Sequence, residues 1–318
     1  MKSSHAALAV ATLSLGLLSL AIPAHAAPPA LPDGDHLVTA SCRTGDVTFH
    51  TVDAQTGTAT EVGTPNEGYK CAYQGAWDVT TQTFFATIAD EGGSQLVVFD
   101  TTTGALTKIG DIVDAADEAV DAYSMVIGLD GKAYINDYNE LYSLDLVTAK
   151  ATLLGTLDAV DSSAYGFSVD PTTGLFYLLE QTGDLLLVDP LTVTATPVAT
   201  WPISPEAEAS YGISIDHAGT AWVVEFPGDA SYSALWSTPL ATFGVDPQLS
   251  GNILTAEGSD PTMWWVALTY TPAAPVPVPA AEPALAATGF DAAPLAFGGL
   301  FLAAAGAVLV GRRSRRTA

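Results

Sequence analysis

The residues best suited to hold a ligand recur at matching places along the chain. Tyr73, Tyr123, Tyr165 and Tyr211 lie 50, 42 and 46 residues apart, and acids precede each of them within a few positions. These acids are Glu67, then Asp117, Glu118 and Asp121, then Asp158 and Asp161, then Glu206 and Glu208, and the series continues at Glu257 and Asp260. Aromatic faces beside carboxylates suit sugars and cationic groups. The candidate ligand-binding set is therefore Tyr73, Tyr123, Tyr165, Tyr211, Asp117, Asp121, Asp161 and Glu208. Carboxylate oxygens also suit Ca²⁺, but no EF-hand-like spacing is present, so such a site would be assembled from different repeats. Past residue 26 the only histidines are His36, His50 and His217, none spaced as a metal pair, and there is no G-x-S-x-G or H-E-x-x-H motif. A glycosidase using two carboxylates drawn from Asp78, Asp121 and Asp161 is the less favoured catalytic alternative.

The elements that must position these residues repeat with them. "YSMVIGLDGKAYINDYNELYSLDLVTAKATLLG" and "YGFSVDPTTGLFYLLEQTGDLLLVDPLTVTATPVA" share one order, and "GAWDVTTQTFFATIADEGGSQLVVFDTTTGALTKIG" and "YGISIDHAGTAWVVEF" repeat it. Each unit holds four apolar, period-2 runs separated by turn residues, which predicts a four-stranded sheet. Units of this length suit the blades of a β-propeller. The first unit, from His36, supplies three strands and lacks the innermost, and "TMWWVALTY" (262–270) at the far end supplies it. Lending the last strand to the first sheet ties the chain ends and removes exposed edges. The expectation is all-β with five blades over 36–270, six being the alternative.

With strands a to d counted from the axis outward, the a–b and c–d turns share one face. There "DPTTG", "LDGK", "DAQTG" and "DTTTG" read as turn formers. The opposite face carries the blade-to-blade links and the b–c loops, with Asp46, Asp90, Glu91, Asp137, Glu140, Glu180, Asp184, Glu225 and Asp229. Topology thus predicts an acidic mouth with the four tyrosines just inside. Trp264 and Trp265 are expected to pack between blades.

The repeat, with "VDPTTGLFY" followed by "LLLVDP", resembles the propellers of secreted bacterial proteins, a likeness of architecture alone. The chain ends agree with export. Lys2, an uncharged run from Ala6 through Pro23 and Ala24-His25-Ala26 form a signal-peptide pattern, residues 1–26. Residues 292–311 carry no charge, and a helix of that length spans roughly 30 Å, a bilayer's hydrocarbon core. Arg312, Arg313, Arg315 and Arg316 follow and would remain cytoplasmic. Upstream stands Leu285-Ala286-Ala287-Thr288-Gly289. Pentapeptide, span and basic tail together resemble the cell-wall sorting signal of Gram-positive surface proteins. Ala286 stands where the common form has Pro, and matches the Leu-Ala-x-Thr-Gly form used with class E sortases of actinobacteria. The resemblance implies that a sortase thiolate attacks the Thr288 carbonyl, releases Gly289 and the tail, and passes the acyl group to peptidoglycan. It implies a cell-surface, wall-anchored protein, held in the membrane before sorting.

Residues 27–288 would keep five of the ten bases, losing Lys2 and the four terminal Arg, and thirty-four of the thirty-five acids, losing Asp291, a net charge near −29. Nucleic acid and anionic headgroups would be repelled. Cys42 and Cys71 enter an oxidising compartment and are expected to pair as a structural disulfide, stabilising by roughly 3 to 4 kcal/mol. Residues 27–35 read as a flexible lead. The Pro-rich stretch 271–284, "TPAAPVPVPAAEPA", predicts an extended stalk of about 40 Å. The leading expectation is a displayed binding or adhesion module, and a passive wall or stalk component comes second.

Overall fold

The computed structural model describes residues 28–41, 46–90, 92–160, 163–202, 207–227, 232–255 and 265–270. Blade one contains β1 (Asp35–Ala40), β2 (Asp46–Val52) and β3 (Thr58–Glu67). Blade two is β4 (Cys71–Asp78), β5 (Thr83–Asp90), β6 (Gly93–Phe99) and β7 (Leu106–Asp111). Blade three is β8 (Ser124–Ile127), β9 (Ala133–Asp137), β10 (Glu140–Leu144) and β11 (Ala151–Thr156). Blade four is β12 (Ala164–Val169), β13 (Phe176–Glu180), β14 (Asp184–Asp189) and β15 (Thr194–Thr200). Blade five is β16 (Ala207–Ile215), β17 (Thr220–Pro227), β18 (Ala234–Pro239) and β19 (Gln248–Asn252). Two last strands, β20 (Leu254–Thr255) and β21 (Ala267–Tyr270), return to blade one, whose order is β20-β3-β2-β1-β21. The protein is a five-bladed β-propeller, and among the described residues its only helical turn is a short 3₁₀ segment at Leu240–Thr242.

The lent innermost strand is where the sequence placed it, with β21 pairing antiparallel to β1 in the register Asp35↔Tyr270 and Leu37↔Leu268. A second clasp was not foreseen: β20 pairs in parallel with the outermost strand β3, so the last two described strands hold blade one on both edges. The inner strands β4, β8, β12, β16 and β21 each pack on the next, and β21 meets β4 to close the ring.

Both faces of every blade are buried against a neighbour, which is why adjacent residues of one strand belong to different cores. Trp222 and Val224 pack toward blade one, whereas Ala221 and Val223 pack toward blade four. Five hydrophobic clusters result, one for each interface between blades. The interface of blades one and two is aromatic: Phe49 stacks on Phe99 at 5.1 Å between ring centroids, and Phe84 lies 6.2 Å from Trp265. Trp265 is fully buried, donates its indole N–H to the Ala72 carbonyl at 2.8 Å, and so packs between blades as expected. Trp264 lies outside the described residues.

The outer edges meet through a contact repeated around the ring. An outer-strand residue of one blade abuts the residue closing the c–d turn of the next: Gly63 on Gly104, Gly110 on Ala149, Gly155 on Val193, Thr200 on Gly244, and Gly251 back on Gly57. The turn residues have φ between 53° and 78°, the left-handed conformation in which a side chain costs energy. At Gly104, φ is 68° and a Cβ would stand 1.8 Å from the Val62 carbonyl oxygen. Gly104→Ala should therefore destabilise by about 3 kcal/mol, combining left-handed strain with overpacking, and lower the Tm by about 10 °C. Gly68, φ 86° with nothing within 4 Å of its would-be Cβ, is the control. Gly68→Ala should cost only about 1 kcal/mol. Thermal unfolding of the two variants compares packing with strain.

Candidate functional site: the tyrosine mouth

Three of the four tyrosines stand at a backbone defect that their inner strands share. The ladder slips by one residue between Ala72 and Gln74, between Ala164 and Gly166, and between Ser210 and Gly212, leaving Tyr73, Tyr165 and Tyr211 as the extra residue of a bulge. A bulge re-aims the extra side chain away from the two sheet faces, both of which are occupied by core here. Tyr123 stands just before β8, its N–H bonded to the Asn136 carbonyl at 3.0 Å. Rings from three blades meet: Tyr123 lies 5.5 Å from both Tyr73 and Tyr165 between centroids. The side chains of Tyr211 and Glu208 lie outside the described set, as do Asp161 and the other mouth acids Glu91, Glu206, Asp229, Glu257 and Asp260.

A fourth ring, not expected, belongs to Tyr138. It sits in the tight β9–β10 turn with φ 50°, is 52% exposed, and lies 4.8 Å from Tyr123, whose hydroxyl donates to its own at 3.1 Å. Asn136 fixes this turn. Fully buried, its amide donates to the carbonyls of Tyr138 and Ala164, each at 3.0 Å, and its oxygen accepts from the Ser124 hydroxyl. One side chain thus ties the hairpin of blade three to the inner strand of blade four. The legible signal was the string "NDYNE", whose Asn and Asp favour a left-handed turn.

The charges beside these rings are unevenly satisfied. Burial, then the charge of Asp121, then that of Glu140, push the Asp137 carboxyl up to about 6, although the backbone N–H of Asp121 bonds to it and opposes the shift. Burial raises the Tyr73 hydroxyl, with Asp121 adding to it, and the hydrogen bond to Tyr138 raises that of Tyr123. Tyr142 donates to Glu140 at 2.7 Å. Glu180 and Glu225 end or nearly end the second strands of blades four and five, paired with Ala164 and Ser210 immediately before the bulges. Both are buried rather than solvated.

Asp117 is not at the mouth. The link after β7 runs along the outermost strand of blade three, with Val113 bridged to Lys150, and Asp117 forms an ion pair with Lys150 on that outer rim. Asp114 caps the same link by accepting from Ala116 and Glu118 N–H groups. Cys71 opens β4, two residues before the Tyr73 bulge, and is disulfide-bonded. The chain's other cysteine, Cys42, lies outside the described residues.

Acids of the opposite face are turn formers, as expected. Asp170 accepts from the N–H and hydroxyl of Thr172 and the hydroxyl of Thr173, and Asp78 makes the same contacts with Thr80 and Thr81. Asp78 stands five residues along β4 from Tyr73, roughly 17 Å at strand rise. The carboxyl pairs of glycosidases lie within about 9.5 Å, so Asp78 and Asp121, at opposite ends of the channel, form no such pair. Between the ends Gln74 crosses the axis, donating to the Phe167 carbonyl at 2.9 Å and accepting from the Phe167 N–H at 3.1 Å. Among the described residues no three His, Cys, Asp or Glu side chains are grouped to hold a metal ion.

No protein-family model matches the chain, and no curated protein is significantly similar to it. Among solved structures it is similar to the PQQ-bound aldose sugar dehydrogenase of Streptomyces coelicolor, at 16% identity over 69% of this chain and 86% of that one, TM-score 0.36. It is similar to TolB of Acinetobacter baumannii at 12% identity over 67% and 52%, TM-score 0.39. Hydrazine synthase of Kuenenia stuttgartiensis gives 12% over 60% and 51%, TM-score 0.38. The chain thus spans about half the length of the last two. Such distant likeness concerns the fold alone, and the blade count rests on the sheets.

Asp137 supplies a pH test. Its folded value of about 6 lies above the ordinary 3.8, so between these pH values the folded protein holds more proton than the unfolded chain. Stability from this group is therefore present at low pH and lost as pH rises through about 6. Asp137→Asn should raise the Tm at pH 7 and flatten its decline over that window, as thermal unfolding at several pH values would read.

Proposed function

We propose that the protein is exported, anchored to the cell wall through Thr288, and displays its propeller as a binding module whose tyrosine mouth takes an ammonium-bearing ligand, such as an amino sugar. The observation that carries the reading is the meeting of Tyr73, Tyr123, Tyr165 and Tyr138 near Asp121 and Asp137, the second of which burial and the Asp121 charge push up to about 6. A cation there relieves the repulsion between the carboxylates, and the ring faces add attraction of about 1 kcal/mol for each well-placed contact. A sugar ring bearing that cation stacks on the same surface. Bare Ca²⁺ fits less well than an organic cation, because the mouth offers more ring face than grouped oxygen. Class E-like sortase and peptidoglycan are the partners in anchoring.

The sorting motif, stalk and span lie outside the described residues, and among those described no helix is long and apolar enough to cross a membrane. The anchoring reading therefore rests on the order of pentapeptide, apolar run and arginines. Thr288→Ala should move the protein from the wall fraction to the detergent-soluble membrane fraction. Complete detergent extraction of the wild type would refute wall attachment. For the mouth, titration calorimetry with glucosamine and uncharged glucose should show tighter, salt-sensitive binding of the amine. Tyr123→Ala combined with Tyr138→Ala should weaken it at least tenfold. Equal binding by that variant would leave a passive stalk component as the better account.

A further inference from the structure

A second site lies at the far end of the axis, on the turn face. Beneath Gln74 a cavity of about 60 Å³ is lined by all five inner strands. Its wall is largely apolar, and Trp77, Val79, Leu129, Pro171 and Tyr270 form much of that lining, with Val79 and Leu129 partly exposed. Polar groups also border it, on Gln74, Ser168, Ser214 and His217 and at the indole N–H of Trp77 and the hydroxyl of Tyr270. The Gln74 amide is spent on Phe167, and the Ser168 hydroxyl contacts the Val169 carbonyl at 3.4 Å.

His217 is held in a way the other lining residues are not. Its backbone N–H donates to one oxygen of Asp35 at 2.9 Å, and its ring Nδ1 lies 2.6 Å from the other. The Asp35 side chain is fully buried, that of His217 is 32% exposed, and the imidazole lies 4.5 Å from the Tyr270 ring. A carboxylate only accepts, so Nδ1 carries the proton, and in that tautomer of an uncharged imidazole Nε2 is an acceptor.

We propose that this cavity is a binding site for a small neutral aromatic alcohol of the phenol class, with the hydroxyl-bearing edge of its ring in the axial cavity, the rest of the ring on the rim, and its hydroxyl donating to His217 Nε2. Size limits what can enter to one edge of a ring. A cavity that encloses benzene measures about 150 Å³, so one of 60 Å³ admits only part of a ring and leaves the rest against the aromatic and aliphatic rim. Charge excludes the anionic alternative. Asp78, Asp170 and Asp216 hold the a–b turns of three of the blades around this end, and Asp35 lies directly behind the imidazole. The site is separate from the tyrosine mouth and does not depend on the reading of that mouth.

The test is ligand-observed NMR on the purified full-length chain, titrated with phenol, toluene and benzoate. Phenol should bind saturably and about tenfold more tightly than toluene, the worth of one hydrogen bond, and benzoate should bind weakest. Val79→Trp, at the partly exposed rim, should weaken phenol and toluene by tenfold or more at an unchanged Tm. His217→Phe should abolish the preference for phenol over toluene. His217 also ties blade five to blade one, so if that variant unfolds, the Val79→Trp arm decides. Absence of saturable binding by both neutral probes, or undiminished binding by Val79→Trp, would overturn the proposal. So would a phenol preference that persists without the imidazole.

Discussion

Closure of the ring is the constraint on which everything else in this fold depends. Four blades are built from consecutive strands, and each has two apolar faces in need of a neighbour. Blade one cannot supply its own inner edge, so β21 crosses from the opposite end of the chain to pair with β1. That pairing brings Trp265 against Phe84 and the Ala72 carbonyl, and it brings Tyr270 beside His217. It also allows Thr39 to donate to the Trp265 carbonyl at 2.5 Å. Loss of β21 would expose the interfaces of blade one with both neighbours, Phe49 on one side and Leu37 on the other. Stability in such a ring is shared, and neither end of the axial channel exists without it.

Five blades crowd the axis, and the inner strands answer with small residues. A Cβ on Gly166 would stand 2.9 Å from the backbone nitrogen of Ile213 on the next inner strand. Gln74 bridges the remaining gap by presenting an amide to Phe167 as a neighbouring strand would. The two ends of the axis thereby become separate chemical environments, one aromatic and acidic, the other apolar with a single oriented imidazole. The bulges follow from the same geometry. Both faces of an inner strand are committed to the interfaces between blades, so an additional residue is the way to send a large ring elsewhere.

Much of this architecture was legible because it repeats. Period-2 runs, turn strings and the truncated first unit led to five sheets and to the lent strand, and the aligned tyrosines marked one position in four blades. The features that escaped the sequence are those made by single, non-repeating contacts. Asp35 and His217 are 182 residues apart and belong to no shared motif. Tyr138 and Asn136 depend on one tight hairpin, and the β20 clasp is only two residues long. Asp117 shows that position in a repeat is not position in space. Its link bridges to the edge of blade three at Val113, pairs Asp117 with Lys150 there, and reaches the axis only at Asp121 and Tyr123. The glycine contacts around the rim were open to reading only in part, because Ala149 and Val193 occupy the left-handed position that Gly104 and Gly57 hold elsewhere.

The electrostatics of the two faces explain why acids that look alike in sequence differ in meaning. Backbone N–H groups and threonine hydroxyls lower the carboxyls of Asp100, Asp145 and Asp189, which contribute stability at neutral pH that is lost only on acidification. Asp137 has the opposite sign, because burial and Asp121 favour its protonated form, so the fold bears a cost there at neutral pH. A surface selected only for solubility could leave this group in water, as it leaves Asp121. Instead, the Asn136 network and the β9–β10 turn hold Asp137 half-buried, in the same turn whose Tyr138 ring joins the tyrosine cluster. The ionised form of Asp137 is disfavoured by burial and by Asp121, in the turn that also carries Tyr138 to the tyrosine cluster. That asymmetry, more than the total number of acids, separates the mouth from the rest of a strongly acidic surface.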